Sequence, residues 1–265
     1  MKVLAAVKEV ATLDDEFEID GLSVPEQYVT YDLNEWDGYA LESAVEFAET
    51  ADEDVEVVTV TIGPERADET IRQALAKGAD RAVRVWDDDL ARGGTVGPRE
   101  RARVLAAVAE REDPDFIVTG VQSGDEAFAA TGVAAASRLD YEWAAVVNDL
   151  SVDVEAGIAS IHRELEGGVE EVSEVDLPAV FTIQTGINEP RYASLRGIRQ
   201  AQSKPLDVHS LDDLGLSAEA LDSALERTAM TEPESEGEAT IWTGDAAETS
   251  EQLAEFLRET GVVEA

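Results

Sequence analysis

The chain has 265 residues and carries 59 acidic against 20 basic side chains, a formal net charge of −39. So negative a chain lacks the basic surface that binds phosphate backbones, which argues against a nucleic-acid-binding function. Cysteine is absent, and this excludes disulfides, thiol redox chemistry and cysteine-ligated iron–sulfur clusters.

The acidic residues are spread among apolar ones along the whole chain, so they do not form a disordered tail. Such a charge destabilises a compact chain at low ionic strength, whereas in about 1 M salt the Debye length falls to about 3 Å and the repulsion is screened. We therefore expect a cytoplasmic protein of a salt-accumulating halophile. No window approaches about 18 apolar residues, so we expect no membrane insertion. Lys8 and Glu9 interrupt the apolar N-terminal residues, which predicts a first strand rather than a secretion signal.

Apolar runs alternate with helical patterns through the first 140 residues. The predicted strands are Val3–Val7, Val55–Ile62, Ala82–Trp86 and Phe116–Thr119. The predicted helices begin at Asn34 or Asp37, after Pro64, at Pro98 and at about Glu126, and the last of them runs to Leu139. Residues 11–30 are polar and predict irregular structure. Four strand-then-helix units in series predict an α/β fold, with a parallel sheet and helices on both of its faces.

A β-hairpin is predicted beyond this repeat. Val146–Leu150 leads toward it, and its first strand is Ile161–Leu165. Glu166-Gly167-Gly168 forms the turn, because glycine tolerates the positive φ that tight hairpins require. The return strand is predicted to end in the apolar run Leu177–Ile183, which suits a sheet buried on both faces.

A polar loop at Asn188–Tyr192 follows the hairpin, and Ser194 is the predicted N-cap of a short helix. We place the end of the α/β domain, residues 1–205, soon after this helix. Residues 206–265 predict a C-terminal arm that packs on its own or a partner subunit. The arm comprises a turn-rich connector at Asp207–Leu216, a short helix at Ala218–Arg227, a solvated linker at Thr231–Ala239 and an amphipathic helix at Ser250–Thr260.

The turn after the fourth strand is the best candidate site. Residues Gly120, Val121, Gln122, Ser123, Gly124, Asp125 and Glu126 form it, with Thr131 and Gly132 shortly after. Glycines allow the backbone to approach a ligand, and the following helix directs N–H groups at a phosphate. Because an ordinary βα turn also contains glycines, the turn alone does not distinguish a site from a connection. Ala6, Ile62 and the segment Asn34–Asp37 converge on the same crevice, which together would form a mononucleotide pocket.

Other chemistry finds little support in the sequence. His162 and His209 are the two histidines, and no third ligand is spaced to form a metal site with them. The run Asp87-Asp88-Asp89 fits a solvated turn in so acidic a chain. No nucleophile elbow or Walker A motif is present, so we expect no catalytic residues, no metal and no stand-alone hydrolase or kinase.

Three motifs in residues 163–201 carry a family resemblance. They read R-E-x-x-G-G-x-x-E from Arg163, L-P-A-V from Leu177 and N-E-P-R-Y-A-S-L-x-x-I-x-x-A from Asn188, and E-T-I-R-x-A-L-A-x-G-A-D-R from Glu69 adds a fourth. Their order and spacing resemble those of electron transfer flavoprotein β subunits, over nearly the whole chain. The resemblance implies an adenine-nucleotide-binding, universal-stress-like fold, and an electron-carrier subunit rather than an enzyme.

The resemblance also implies cofactors and their residues. FAD would lie mainly on an α subunit, with Trp36 near the flavin, and AMP would lie in the pocket of this chain. The implied cofactor-binding residues are Ala6, Asn34, Glu35, Trp36, Asp37, Ile62, Gly120, Val121, Gln122, Ser123, Gly124, Asp125, Glu126, Thr131 and Gly132.

Partners follow from the resemblance as well. The loop at about residues 188–200 would be a recognition loop that docks on acyl-CoA or related dehydrogenases through Arg191, Tyr192 and Leu195, with Glu164. The heterodimer would pass electrons on to a membrane quinone reductase, as in fatty acid oxidation.

Two alternatives stay open. The chain has Ala129-Ala130-Thr131 where the family pattern has Asn-Gln-Thr at the phosphate, so the nucleotide is either AMP or, as in bifurcating members, a second FAD. Asp125 is followed by Glu126-Ala127-Phe128 rather than by the bifurcating pattern, which favours AMP. The alternative from another class is a universal-stress-like nucleotide sensor, for which the hairpin, the recognition loop and the arm would be superfluous.

Overall fold

The computed structural model describes residues 1–87, 90, 96–217, 223, 225–232 and 240–263. The chain forms two compact units, Met1–Met230 and Thr231–Ala265. None of the helices in the described residues is long and apolar enough to cross a membrane.

Strands and helices alternate from β3 to β7, and five strands then follow one another from β7 to β11. The strands in the described residues are β1 (Lys2–Ala6), β2 (Glu9–Leu13), β3 (Val29–Leu33), β4 (Glu56–Ile62), β5 (Arg81–Val85), β6 (Phe116–Gly120), β7 (Glu142–Val147), β8 (Asp149–Asp153), β9 (Ile158–Leu165), β10 (Val169–Asp176), β11 (Ala179–Ile183) and β12 (Leu206–His209). The α-helices are α1 (Glu35–Thr50), α2 (Asp68–Lys77), α3 (Pro98–Glu112), α4 (Thr131–Leu139), α5 (Leu195–Ala201) and α6 (Ala246–Glu259).

Seven strands form one sheet in the order β12-β5-β4-β1-β6-β11-β7, and every neighbouring pair in it is parallel. Alternate residues of the central strands face opposite sides. In β6, Phe116 packs in the cluster that contains residues of α1 and α2, while Ile117 packs in the cluster with residues of α3 and α4. Both faces are therefore covered by helices, and the predicted α/β fold is confirmed.

The predicted strands and helices of residues 1–125 agree with the structure to within a few residues. The polar segment 11–30 differs, because β2 and β3 pair as an antiparallel ribbon. Three residues of β2, from Ala11 to Leu13, and two residues of β3, Val29 and Thr30, lie within this segment. The two strands were not predicted because the segment is polar in composition, as one face of a two-stranded ribbon is exposed to solvent.

The hairpin prediction was right in its turn and wrong in its return strand. β9 and β10 pair around Gly167 and Gly168, with β8 beside them in a three-stranded antiparallel sheet. The return strand ends at Asp176, and the apolar run after it is the separate strand β11. β11 lies between β6 and β7 in the main sheet, which explains why its residues are buried on both faces. The segment Val146–Leu150, which leads toward the hairpin, is divided between the end of β7 and the start of β8.

The predicted connector Asp207–Leu216 contains a strand. β12 pairs in parallel with β5 at the edge of the main sheet, so residues beyond Pro205 contribute to that sheet. The final helix begins at Ala246, after Asp245, whose side chain forms a capping box with Glu248. Most of the predicted helix at Ala218–Arg227 and of the linker at Thr231–Ala239 lies outside the described residues.

Candidate functional site

The carboxyl ends of β1, β4 and β6 open on one pocket, as expected for a parallel sheet. Its inner part is largely apolar, formed by Ala6, Val60, Ile62 and Leu105, and most of the charged and polar side chains lie at its mouth. The lining residues are Ala6, Val7, Lys8, Asn34, Asp37, Val60, Ile62, Arg101, Leu105, Thr119, Gly120, Val121, Gln122, Ser123, Glu126, Phe128, Ala129, Ala130 and Thr131.

Asn34 ties the start of α1 to the loop that follows β6. It occupies the N-cap position, but its side chain makes no capping hydrogen bond. Instead Nδ2 donates to the carbonyl of Gln122 at 2.8 Å, and Oδ1 accepts from the N–H of Gly124 at 3.2 Å. The side chain is buried, so it fixes the backbone of the loop at the pocket edge.

Asp37 performs a similar role at the pocket floor. Its two carboxylate oxygens accept from the backbone N–H of Lys8 at 2.8 Å and of Gly120 at 2.9 Å. Burial raises the pKa of Asp37 to about 6, and the hydrogen bonds from Lys8 and Gly120 oppose that rise. One carboxylate thus joins the ends of β1 and β6 to the first turn of α1.

Gly120 allows these elements to approach closely. A Cβ at this position would lie 2.5 Å from Cβ of Trp36 and 2.6 Å from Oδ1 of Asp37. Only glycine fits where α1 crosses the end of β6. Trp36 is half-buried, and a Cβ added at Gly124 would lie 3.9 Å from its ring.

Two cations cross the mouth of the pocket. Nζ of Lys8 donates to Oγ of Ser123 at 3.0 Å, to Oδ1 of Asp125 at 2.6 Å and to Oε2 of Glu126 at 2.9 Å. Arg101, from α3, also donates to both carboxylate oxygens of Glu126. Burial would raise the pKa of Glu126, but the hydrogen bonds from Arg101 and Lys8 outweigh it and hold that pKa below its usual value.

The helix after this loop begins later than predicted. α4 starts at Thr131 rather than at about Glu126, because Ala127 and Ala129 adopt positive φ angles of 51° and 50°. Ala130 occupies the N-cap position and provides no side-chain cap. The first N–H groups of α4 therefore have no side-chain acceptor at the pocket edge, which suits an anionic group there.

Most of the predicted cofactor-binding residues line the pocket. Ala6, Asn34, Asp37, Ile62, Gly120, Val121, Gln122, Ser123, Glu126 and Thr131 do so. Glu35, Trp36, Gly124, Asp125 and Gly132 do not line it. Gly132 lies behind the wall, where a Cβ would come within 2.7 Å of Thr119 and Thr182. Asp125 faces a neighbouring groove.

Sequence reasoning missed Lys8, Arg101, Leu105 and Phe128 among the lining residues. Lys8 could have been found, because it follows β1 at the end of the sheet where ligands bind. Arg101 and Leu105 sit on α3, and nothing in their spacing shows which strand ends they face. Among the described residues, no three His, Asp or Glu side chains are grouped so as to hold a metal ion.

The predicted recognition loop follows β11 and leads into α5. Tyr192 is 96% exposed and Leu195 is 79% exposed, while Ser194 accepts from the N–H of Gly197 at 3.0 Å and caps α5 as predicted. Arg191 is not a free cation, since it is paired with Glu42 and Glu49 of α1. Glu164 is exposed on β9, opposite Glu170 of β10.

Comparison with known proteins decides the family. Residues 21–214 match the electron transfer flavoprotein domain. The chain is 48% identical to the electron transfer flavoprotein subunit beta of Methylophilus methylotrophus, over 98% of both chains. It is 37% identical to the subunit beta of Bradyrhizobium diazoefficiens over 88% of this chain and 90% of that one, and 34% identical to the human one over 98% of both.

The chain belongs to the electron transfer flavoprotein β-subunit family. The resemblance inferred from the four motifs is thereby confirmed. As a β subunit, the chain is one component of an electron-carrying flavoprotein, and the family implies an α-subunit partner and dehydrogenases as redox partners.

Proposed function

We propose that this chain is the β subunit of a heterodimer that carries electrons between acyl-CoA-type dehydrogenases and a quinone reductase, in the cytoplasm of a halophile. It makes and breaks no bonds itself. It binds AMP in the pocket, completes the FAD site of the α subunit and presents the recognition loop to the dehydrogenase. The pocket at the carboxyl ends of β1 and β6 is the observation that carries this proposal.

The residues of the pocket fit a mononucleotide. The apolar inner part, with Ala6, Ile62 and Leu105, offers a surface for an adenine ring. The mouth offers donors for a phosphate in the hydroxyls of Ser123 and Thr131 and in the N–H groups at the start of α4. Asn34 and Asp37 would hold the loop and the floor in place, since their polar atoms are already bonded to the backbone.

FAD supplies the redox chemistry when it is bound, and most of its site would belong to the α subunit. In this chain the half-buried ring of Trp36, at the first turn of α1, would cover one side of the flavin. The approach of Trp36 to Gly120 fixes the position of this residue. The contribution of the chain is therefore to shield and orient the flavin.

A second FAD in place of AMP is the alternative. A dinucleotide would have to extend past the ion pairs of Lys8 and Arg101 with Glu126, which lie between the pocket and the neighbouring groove. These ion pairs favour the mononucleotide. A universal-stress-like sensor is disfavoured by the exposure of Tyr192 and Leu195 on a loop that such a protein does not need.

Co-expression tests the proposal. The chain alone, purified in high salt, is expected to be colourless, and the complex with its α subunit is expected to be yellow with about one FAD. Mass spectrometry of the denatured complex is expected to find AMP. Stoichiometric flavin on the isolated chain would overturn the division of roles between the subunits, and two FAD per heterodimer without AMP would establish the alternative.

A further inference from the structure

We propose that Lys8 and Arg101 are the cations that recognise the nucleotide phosphate, and that Glu126 competes with the phosphate for them. This inference rests on the proposed function, because it takes the pocket to be a nucleotide site. It assigns a role to three residues of the mouth, and it explains how the site functions without side-chain donors at Ala129 and Ala130.

The first argument is the placement of charge. Lys8 and Arg101 are the basic residues among those that line the pocket. They come from different elements, Lys8 from the end of β1 and Arg101 from α3, and they meet at one carboxylate. Two cations that converge from separate elements on one point form a site for a doubly charged anion.

The second argument is what Glu126 does. Its two oxygens accept from both cations, and its lowered pKa keeps it ionised at neutral pH. The other acidic lining residue, Asp37, has both oxygens engaged by backbone N–H groups. A phosphate at the mouth would therefore replace Glu126 at the cations, and the like charge of Glu126 would weaken its binding.

The third argument concerns the start of α4. The N-cap residue Ala130 provides no side chain to accept from the first N–H groups. Ala129 and Ala130 line the pocket beside Thr131. Phosphate binding at this point depends on backbone N–H groups and on charge. Lys8 and Arg101 supply that charge, so we infer that the site selects a phosphorylated nucleoside over the nucleoside itself.

The experiment measures the binding of AMP and of adenosine to the complex of both subunits, stripped of nucleotide, by calorimetry in molar salt. Three variants are compared with the wild type: Arg101→Gln, Glu126→Gln and, as a control of equal charge change on the exposed end of α4, Arg138→Gln. Arg101→Gln is expected to weaken AMP binding about tenfold or more, which is the size of a lost charged hydrogen bond. Glu126→Gln is expected to tighten AMP binding several-fold, and Arg138→Gln to change it less than about twofold.

Adenosine provides the internal reference, since its affinity is expected to be the same in all four proteins. Arg101→Lys, which keeps the charge, is expected to retain most of the AMP affinity, and FAD content reports whether each variant is folded. Unchanged AMP affinity in both Arg101→Gln and Glu126→Gln would overturn the inference while the proposed function stands. A wild-type complex that binds neither ligand would overturn the proposed function, and this inference with it.

Discussion

Arg191 and Glu42 are joined by three hydrogen bonds across 149 residues of sequence. Nε of Arg191 lies 2.9 Å and 3.0 Å from the two carboxylate oxygens of Glu42, and the backbone N–H of Arg191 donates to Oε2 at 2.9 Å. Glu42 is 5% exposed. The same guanidinium also pairs with Glu49. The recognition loop is therefore bonded to α1 at its base.

Arg191→Gln is expected to lower the free energy of unfolding by about 2 kcal/mol, because it leaves the buried carboxylate of Glu42 without its charged partner. Denaturant unfolding in high salt measures this. Arg199→Gln is the matched control, since Arg199 is exposed on α5, and it is expected to change stability by less than about 0.5 kcal/mol. Equal stability of the two variants would show that the Arg191–Glu42 pair does not hold the loop.

Leu195→Ala is expected to weaken electron transfer with the dehydrogenase about tenfold, as the loss of an apolar anchor at an interface does. Because Leu195 is 79% exposed, FAD content and stability are expected to stay nearly constant. The kinetics are measured with the heterodimer and its dehydrogenase at varied concentration. Val172→Ala, equally exposed on β10, is the control. A loss of about 3 kcal/mol of stability on Leu195→Ala would mark this residue as part of a core instead.

Gly120→Ala is expected to destabilise the protein by about 1–3 kcal/mol and to lower the retained nucleotide, because the new Cβ would overlap Trp36 and force α1 away from β6. Gly124→Ala provides the comparison. Its Cβ would lie 3.9 Å from the Trp36 ring, an ordinary contact. Nucleotide content by mass spectrometry and thermal unfolding measure both variants. A Gly120→Ala protein as stable as Gly124→Ala would contradict the close approach of the two elements.

Asp37 makes stability depend on pH. The pKa of Asp37 is about 6 in the folded protein, against 3.8 for an aspartate in an unfolded chain. The folded state therefore binds the proton more tightly than the unfolded state does. The contribution to stability is fully present below pH 3.8 and is lost as the pH rises through about 6. It amounts to at most about 3 kcal/mol.

The difference between wild type and Asp37→Asn isolates this effect from that of the other acids. Measured by denaturant unfolding between about pH 7 and pH 4, the wild type is expected to gain stability relative to the variant as the pH falls. A flat difference for Asp37→Asn would mean that Asp37 titrates as an exposed aspartate does.

The net charge of −39 predicts a dependence on salt. Dialysis from molar to about 0.1 M salt is expected to unfold the chain or to dissociate it from its α subunit, since the Debye length rises from about 3 Å to about 10 Å. Far-UV circular dichroism and size exclusion follow the two processes. An intact complex at low salt would show that the acidic residues are accommodated without screening.

The alternation of strands and helices could be predicted because the residues that begin and end helices act locally. Pro98 stands at the start of α3, Gly78 adopts φ 138° at the end of α2, and each signal acts within a few residues. The pocket could be predicted because its position follows from where parallel strands end. The β9–β10 turn could be predicted from its two glycines.

The misses arise from long-range contacts. The residues from Glu126 to Ala130 favour a helix locally, but Glu126 is held by Lys8 and Arg101, and the chain turns through positive φ at Ala127 and Ala129 before α4 begins. β12 is an edge strand with polar neighbours, and only its pairing with β5 makes it a strand. The pairing of Arg191 with α1 left no trace in local sequence.

The segment between β11 and β12, residues 184–205, crosses from one side of the sheet to its far edge. On its way Asn188 donates to Tyr39 and Ser43 of α1, and Lys77 and Arg72 of α2 donate to carbonyls of the segment. Leu195 therefore lies on a segment that is hydrogen-bonded to the rest of the domain on both sides of it. Its amides are expected to exchange with solvent in step with those of β12, so that α5 and the edge strand open as one unit. If the proposed partner binds at Leu195, it meets a surface that is already ordered, and little conformational entropy is lost on binding.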